Sequence, residues 1–180
     1  MKGLLIGTIA GSITALMLQV IFLSGIAEAE ELYTKSAEMI CADTKVRVVT
    51  ECYDDTDYTP PLCSKQQFQF TDNNTNKTIT TPSAGRFSEE FNELATSWTC
   101  IKGRSQYYLL VRYNNGGNCS DCEWFEIVDL HGKKLASDRG KISGNANKHF
   151  KNIYKKIGLP QSWRRSSFVR IPLARKDRGE

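Results

Sequence analysis

Tyr107-Tyr108-Leu109-Leu110-Val111 is apolar at every position. Successive side chains of a strand point to opposite faces, so a run without alternation must be covered on both sides. This stretch reads as the centre of a sheet, entered at Gln106 and left at Tyr113, and its neighbours arrange themselves around it. Asn114 to Asn118 form a Gly-rich tip, Trp124 to Leu130 run back, and His131-Gly132 turn. Lys133 to Ala136 then leave as a further strand. On the upstream side Thr99 to Lys102 make a strand that ends at Gly103.

The N-terminal half carries a weak echo of this pattern. Lys45 to Cys52 is β-branched and partly alternating, which predicts a strand. Tyr53 to Leu62 holds Asp54, Asp55, Asp57 and Pro60-Pro61, so it is a loop. Gln67-Phe68-Gln69-Phe70-Thr71 alternates cleanly, with Phe68 and Phe70 on the core face. Asp72 to Asn76 is turn chemistry, and Lys77 to Thr81 returns. Each half thus reads strand, cysteine loop, a run ending in Asp (Gln-Phe-Gln-Phe-Thr-Asp, then Trp-Phe-Glu-Ile-Val-Asp), polar turn, strand. The expectation is two three-stranded meanders forming one antiparallel sheet or barrel.

Helices are read in three places. Phe91, Leu94, Ala95 and Trp98 recur at helical intervals, with Ser88 as N-cap and Glu89 and Glu90 in the first turn, predicting a helix over Phe87 to Trp98. Residues 31–42 are mixed and read as a short helix. Asn145 to Ile157 is the clearest helix, capped by Asn145 and ended by Gly158 before Pro160, with Ala146, Phe150, Ile153, Tyr154 and Ile157 on its packing face. Ser167 to Leu173 reads as an edge strand, where Pro172 is tolerated. The fold class expected is α+β: a single domain stapled by disulfides, mainly antiparallel sheet with two to three helices, packed on one face.

The chain has 180 residues, with 40% apolar and 24% charged, which excludes disordered, fibrous and multi-span membrane proteins. Residues 1–29 read as a targeting segment. Lys2 gives a positive end, no charge appears from Leu4 to Ala27, Gly25 breaks the run, and Ala27-Glu28-Ala29 offers a cleavage site. The uncharged run is long enough to span a bilayer, so a cleaved signal peptide and a retained single-span anchor both fit. Either reading exports residues 30–173 as a globular domain, followed by a basic, flexible tail over 174–180. The location expected is periplasmic or secreted, or anchored in the inner membrane with the domain outside.

All six cysteines follow the targeting segment, and an even count in an exported chain reads as a disulfide framework. Fifteen pairings are open to six cysteines. Loop spacing favours Cys52 with Cys63 and Cys119 with Cys122, leaving Cys41 with Cys100. Cys119-Ser120-Asp121-Cys122 could alternatively be a redox dithiol. However, a strand pattern follows it where a helix dipole is needed, and Asp121 and Glu123 disfavour a thiolate. The second half of a zinc site is missing.

Charge is segregated along the chain. Residues 30–100 carry 6 cations against 12 anions, and residues 101–180 carry 17 against 7. Lys148, Lys151, Lys155 and Lys156 crowd the last helix. Such a face is either plain solvation or a surface for an acidic protein or an anionic envelope polymer. Export and thin aromatic interleaving argue against nucleic acid. His131 and His149 lack a base–nucleophile setting, and Glu89, Glu90 and Glu93 suit a helix start better than a catalytic pair. Asp54, Asp55 and Asp57 lack the Gly and Glu of a calcium loop. Asn73, Asn76 and Asn118 begin glycosylation triplets that matter only in a glycosylating pathway, against which the short prokaryote-like leader argues. No cofactor or metal is expected.

The function expected is that of a non-enzymatic binding or inhibitor-type protein of the cell envelope, such as an immunity or hydrolase-inhibitor protein. Its contacts would be the loop from Tyr53 to Leu62 with its three aspartates, the tip from Asn114 to Cys122, and the four lysines. The alternatives are a thiol–disulfide redox protein using Cys119 and Cys122, and a membrane-tethered structural component that touches lipid if the leader is retained.

Overall fold

The Tyr107–Val111 run lies at the middle of a five-stranded sheet in the computed structural model, which describes residues 32–53, 62–87, 92–140, 144–160 and 167–173. In chain order the elements are β1 (Leu32–Cys41), β2 (Thr44–Tyr53), β3 (Cys63–Asp72), β4 (Thr78–Pro82), β5 (Leu94–Lys102), β6 (Tyr107–Asn114), β7 (Glu123–Asp129), β8 (Lys134–Ser137), α1 (Asn145–Ile157) and β9 (Val169–Arg170). They form two antiparallel sheets, one ordered β1-β2-β3-β4 and the other β8-β7-β6-β5-β9. The α+β expectation is therefore corrected. The described chain is mostly β, with two sheets where one was expected, three disulfides, and a single α-helix where two to three were expected.

The second sheet is covered on both faces. Leu109 and Val111 of β6, with Trp98, Tyr113, Trp124 and Val128, meet Val46, Val48, Phe68 and Phe70 of the first sheet. Phe68 and Trp98 lie 5.7 Å apart between ring centroids. On the opposite face Tyr108, Leu110 and Ile127 pack with Phe150 and Leu159 of the helical layer. A buried aromatic or aliphatic side chain contributes about 1.5–3 kcal/mol, so two such interfaces supply most of the driving force.

Double coverage explains the misread helix. Leu94, Ala95 and Trp98 belong to β5, which is buried on both faces and so loses the alternation that marks a strand. The helical spacing of those residues is incidental to tight burial all round. Residues 88–91, which hold the expected cap and first turn, lie outside the described residues. The short helix read at residues 31–42 is also a strand, β1. Tyr33, Lys35, Ala37 and Met39 turn half inward, while Leu32, Thr34, Ser36, Glu38 and Ile40 stay exposed. The period is two, but exposed Leu32 and Ile40 and inward Lys35 hide it from a polarity count.

The meanders have four strands each, not three: β1 to β4 and β5 to β8. Their echo is structural. The third strand of each ends in Asp, and each Asp closes the following turn by the same device. Asp72 Oδ1 accepts the N–H groups of Asn74 and Thr75 at 2.8 and 2.9 Å. Asp129 Oδ1 accepts those of His131 and Lys133, both at 2.9 Å.

Asn145 does not cap α1; Gly144 occupies the cap position and no side-chain cap bond forms. A 13-residue helix without a cap is marginal alone, so packing holds it. Gly158 ends it with φ 68°, the left-handed conformation that glycine adopts without a Cβ penalty.

Three disulfides join Cys41 to Cys100, Cys52 to Cys63 and Cys119 to Cys122, the pairs that loop spacing favours. The first ties β1 to β5 and so couples the two sheets. A second clasp does the same with hydrogen bonds. Gln66 of β3, 1% exposed, donates through Nε2 to Thr50 Oγ1 and to Ala95 O, and its Oε1 accepts Ala95 N–H. Ala95 sits at an irregularity of β5, beyond the two residues paired with β9, and a side-chain amide there replaces a missing strand.

Candidate functional site

In a meander, alternate connections fall at opposite ends. The β2–β3 and β6–β7 loops, each closed by a disulfide, share one end of the sandwich with the start of β5. Asn92 accepts the Cys63 N–H there, and Leu94 packs on the Cys52–Cys63 bridge. A cleft of about 470 Å³ opens at this end, lined by residues that include Arg86, Glu93, Asp121, Trp124, Glu126 and Arg139.

Its centre is Glu93, whose side chain is 3% exposed. Phe87 and Asn92 bridge, folding Arg86 back onto Glu93. Glu93 Oε2 then accepts the backbone N–H and Nε–H of Arg86 at 3.1 and 3.2 Å, and Oε1 accepts its NH2 at 3.1 Å. Arg139 donates to the same Oε1. Gly85 makes this fold-back possible: a Cβ there would lie 1.8 Å from the Glu93 carbonyl oxygen. One buried carboxylate thus lies between two guanidinium groups, with both of its oxygens taken up by charge-assisted hydrogen bonds.

Arg139 also sits over the Trp124 ring, 4.7 Å from its centroid, and Tyr113 stacks on that ring at 5.3 Å and 6°. Burial pushes the Tyr113 phenol up, and the Glu126 charge pushes it further. Glu126 is itself buried beside Lys134 Nζ at 3.6 Å. Burial raises its carboxyl above the ordinary value, and the Lys134 charge opposes that rise. Trp124 Nε1 and Asp121 Oδ1 are buried without a hydrogen-bond partner among the described residues.

The opposite end carries a second cleft, of about 480 Å³, between the two-residue β1–β2 turn and the β3–β4 and β7–β8 turns. Asp43, Asp72, Lys77, Tyr107 and His131 line it. The Thr75 and Asn74 backbone N–H groups hold the Asp72 carboxyl below its usual range.

The expected contact residues are distributed as follows. Asp54, Asp55 and Asp57 lie outside the described residues, as do residues 1–31 with the targeting segment and residues 174–180 with the tail. Lys148, Lys151, Lys155 and Lys156 are exposed on α1, and the first three line a shallow groove with Asn147 and Asn152. They sit on the helical layer, away from the Glu93 cluster. Cys119 and Cys122 are bridged and lead at once into β7, with no helix N-terminus behind them. No group of three or more potential ligands could hold a metal among the described residues.

Sequence reasoning placed Glu93 in a helix and missed Arg86, Arg139, Trp124 and Glu126. A signal for Glu126 exists. In β7, Trp124, Glu126 and Val128 share a face by the period of two, so a carboxylate shares the apolar side of a strand. The arginines come from distant segments and have no such signal.

Three disulfides and no free cysteine fit an oxidising, extracytoplasmic compartment. Among the described residues no helix is long and apolar enough to cross a membrane. Family models, curated proteins and solved structures give no match to this chain.

Proposed function

We propose that this protein is an exported binding module of the cell envelope, periplasmic or secreted, that engages its partner with the loop end of the sandwich and performs no chemistry on it. One observation carries the reading: two disulfide-closed loops and the Glu93 cleft converge on the same end. A loop whose ends are tied by a covalent bridge has fewer conformations to lose on association, which favours binding. The cleft lies at the same end, and the Glu93 carboxylate in it is already engaged by Arg86 and Arg139. An inhibitor or immunity protein is one form such a module takes. The Leu4–Ala27 run supplies the export signal in this reading, whether cleaved or kept.

The test is capture from an envelope extract on the oxidised protein, beside a double variant carrying Asn118→Arg and Ser120→Arg. Both residues are exposed at the β6–β7 tip, so the fold should persist. A saturable partner held by the wild type and lost by the variant supports the reading. Identical capture by both proteins refutes it.

A further inference from the structure

Resting on the proposed export, we propose that the outer face of α1, with Arg104 beside its C-terminus, docks on anionic phospholipid headgroups. Lys148, Lys151 and Lys155 stand at intervals of three and four, which places them on one stripe of the helix. Lys156 adjoins them. Arg104 joins the patch through its backbone, whose N–H donates to Ile157 O at 2.9 Å, while its side chain lies against Gly158. All five cations are exposed. The helix contains no Asp or Glu, and none of the five makes an ion pair among the described residues.

The occupant follows from what the face lacks. Protein interfaces are anchored by buried aromatic and aliphatic side chains. Here Phe150, Ile153, Tyr154 and Ile157 are turned onto the second sheet, leaving lysine, asparagine and His149 outside. Such a face has charge to offer and no anchor, which suits a dense array of phosphates. The chain itself supplies proximity, because the apolar run at Leu4–Ala27 takes it to a bilayer during export. A basic patch near an anionic leaflet gains attraction with each lysine, screened within a Debye length.

The experiment is sedimentation of the oxidised protein, as recovered from exporting cells, with vesicles of phosphatidylcholine alone or with about 30% phosphatidylglycerol. Binding to the anionic vesicles alone, abolished by about 0.5 M salt, is expected. Lys148→Glu, Lys151→Glu and Lys155→Glu together should weaken it at least about a hundredfold, whereas the three Arg substitutions should retain it. A kept apolar segment would raise partitioning into both vesicle types and cannot mimic the difference. Equal partitioning into both compositions, or indifference to charge reversal, overturns the proposal. So does binding to soluble polyphosphate with none to anionic vesicles. The loop-end capture is scored on the same triple variant. Retained capture with lost vesicle binding separates the two surfaces, and loss of both moves the partner site onto α1 and fails the loop-end reading alone.

Discussion

Gln66→Leu tests how the two sheets are held together. The wild-type amide makes three hydrogen bonds: Nε2 to Thr50 Oγ1 at 3.1 Å, Nε2 to Ala95 O at 3.0 Å, and Ala95 N to Oε1 at 2.8 Å. Leucine is of similar size, so the change leaves no large cavity and isolates the polar loss. It strands the Ala95 N–H and C=O in a buried site, at about 1–3 kcal/mol each. Thr50 can rotate its hydroxyl elsewhere and is counted as neutral. Extra apolar burial returns about 1 kcal/mol. The net expectation is a loss of about 3 kcal/mol, a large part of a total near 5–15 kcal/mol. Urea unfolding reads it as a midpoint lowered by about 1–3 M at an m-value of about 1–3 kcal/mol/M. Gln66→Glu gives an internal control. Its carboxylate opposes the Ala95 carbonyl, and its protonated form restores a donor, so its stability should recover toward acid pH. If Gln66→Leu unfolds within about 0.5 kcal/mol of wild type at unchanged m, Gln66 is not the clasp and the coupling of the sheets lies elsewhere.

Replacing Cys41 and Cys100 together by Ala opens a loop of 59 residues; the chain-entropy relation gives a loss of about 4 kcal/mol, against about 3 kcal/mol for the Cys52–Cys63 pair, and paired thermal melts read the order. The Glu126 carboxyl is raised above its ordinary 4.5 by burial. The folded protein therefore keeps that proton where the unfolded chain has lost it, and the group's contribution falls as pH rises from 4.5 through the folded value. Glu126→Gln, which resembles the protonated form, should flatten that fall, so its stability relative to wild type must grow between pH 4 and 7; a constant difference over that range contradicts the assignment. Gly85→Ala drives a Cβ into the Glu93 carbonyl, and should cost more than about 2 kcal/mol and alter Trp124 fluorescence as Arg139 loses its carboxylate partner; an unchanged spectrum refutes the close approach.

The legible parts of the fold are those whose burial differs between faces. In β3, Phe68 and Phe70 alternate with Gln67 and Gln69, and the strand forms around them. In α1 the apolar stripe has a polar counterpart, and the helix ends where Gly158 puts it. β5 failed the same test because Leu94, Ala95 and Trp98 are surrounded, and a surrounded strand carries no period. β1 failed for the opposite reason: half exposed along its length, it spends Leu32 and Ile40 on solvent. The candidate site was less legible still. Arg86, Glu93 and Arg139 meet only because a crossover between sheets and the end of β8 converge, and no local spacing records that meeting.

The long bridge has a bearing on how the protein withstands peptidases. Between Cys41 and Cys100 any single backbone scission leaves two fragments that cannot separate while that bond is closed. A cut inside the segment from 53 to 62 is straddled by a second bond as well. A nicked molecule would migrate as one band without reductant and as two with it. Where damaged chains are not resynthesised on the spot, that tether converts an otherwise terminal cleavage into a scar the fold can carry.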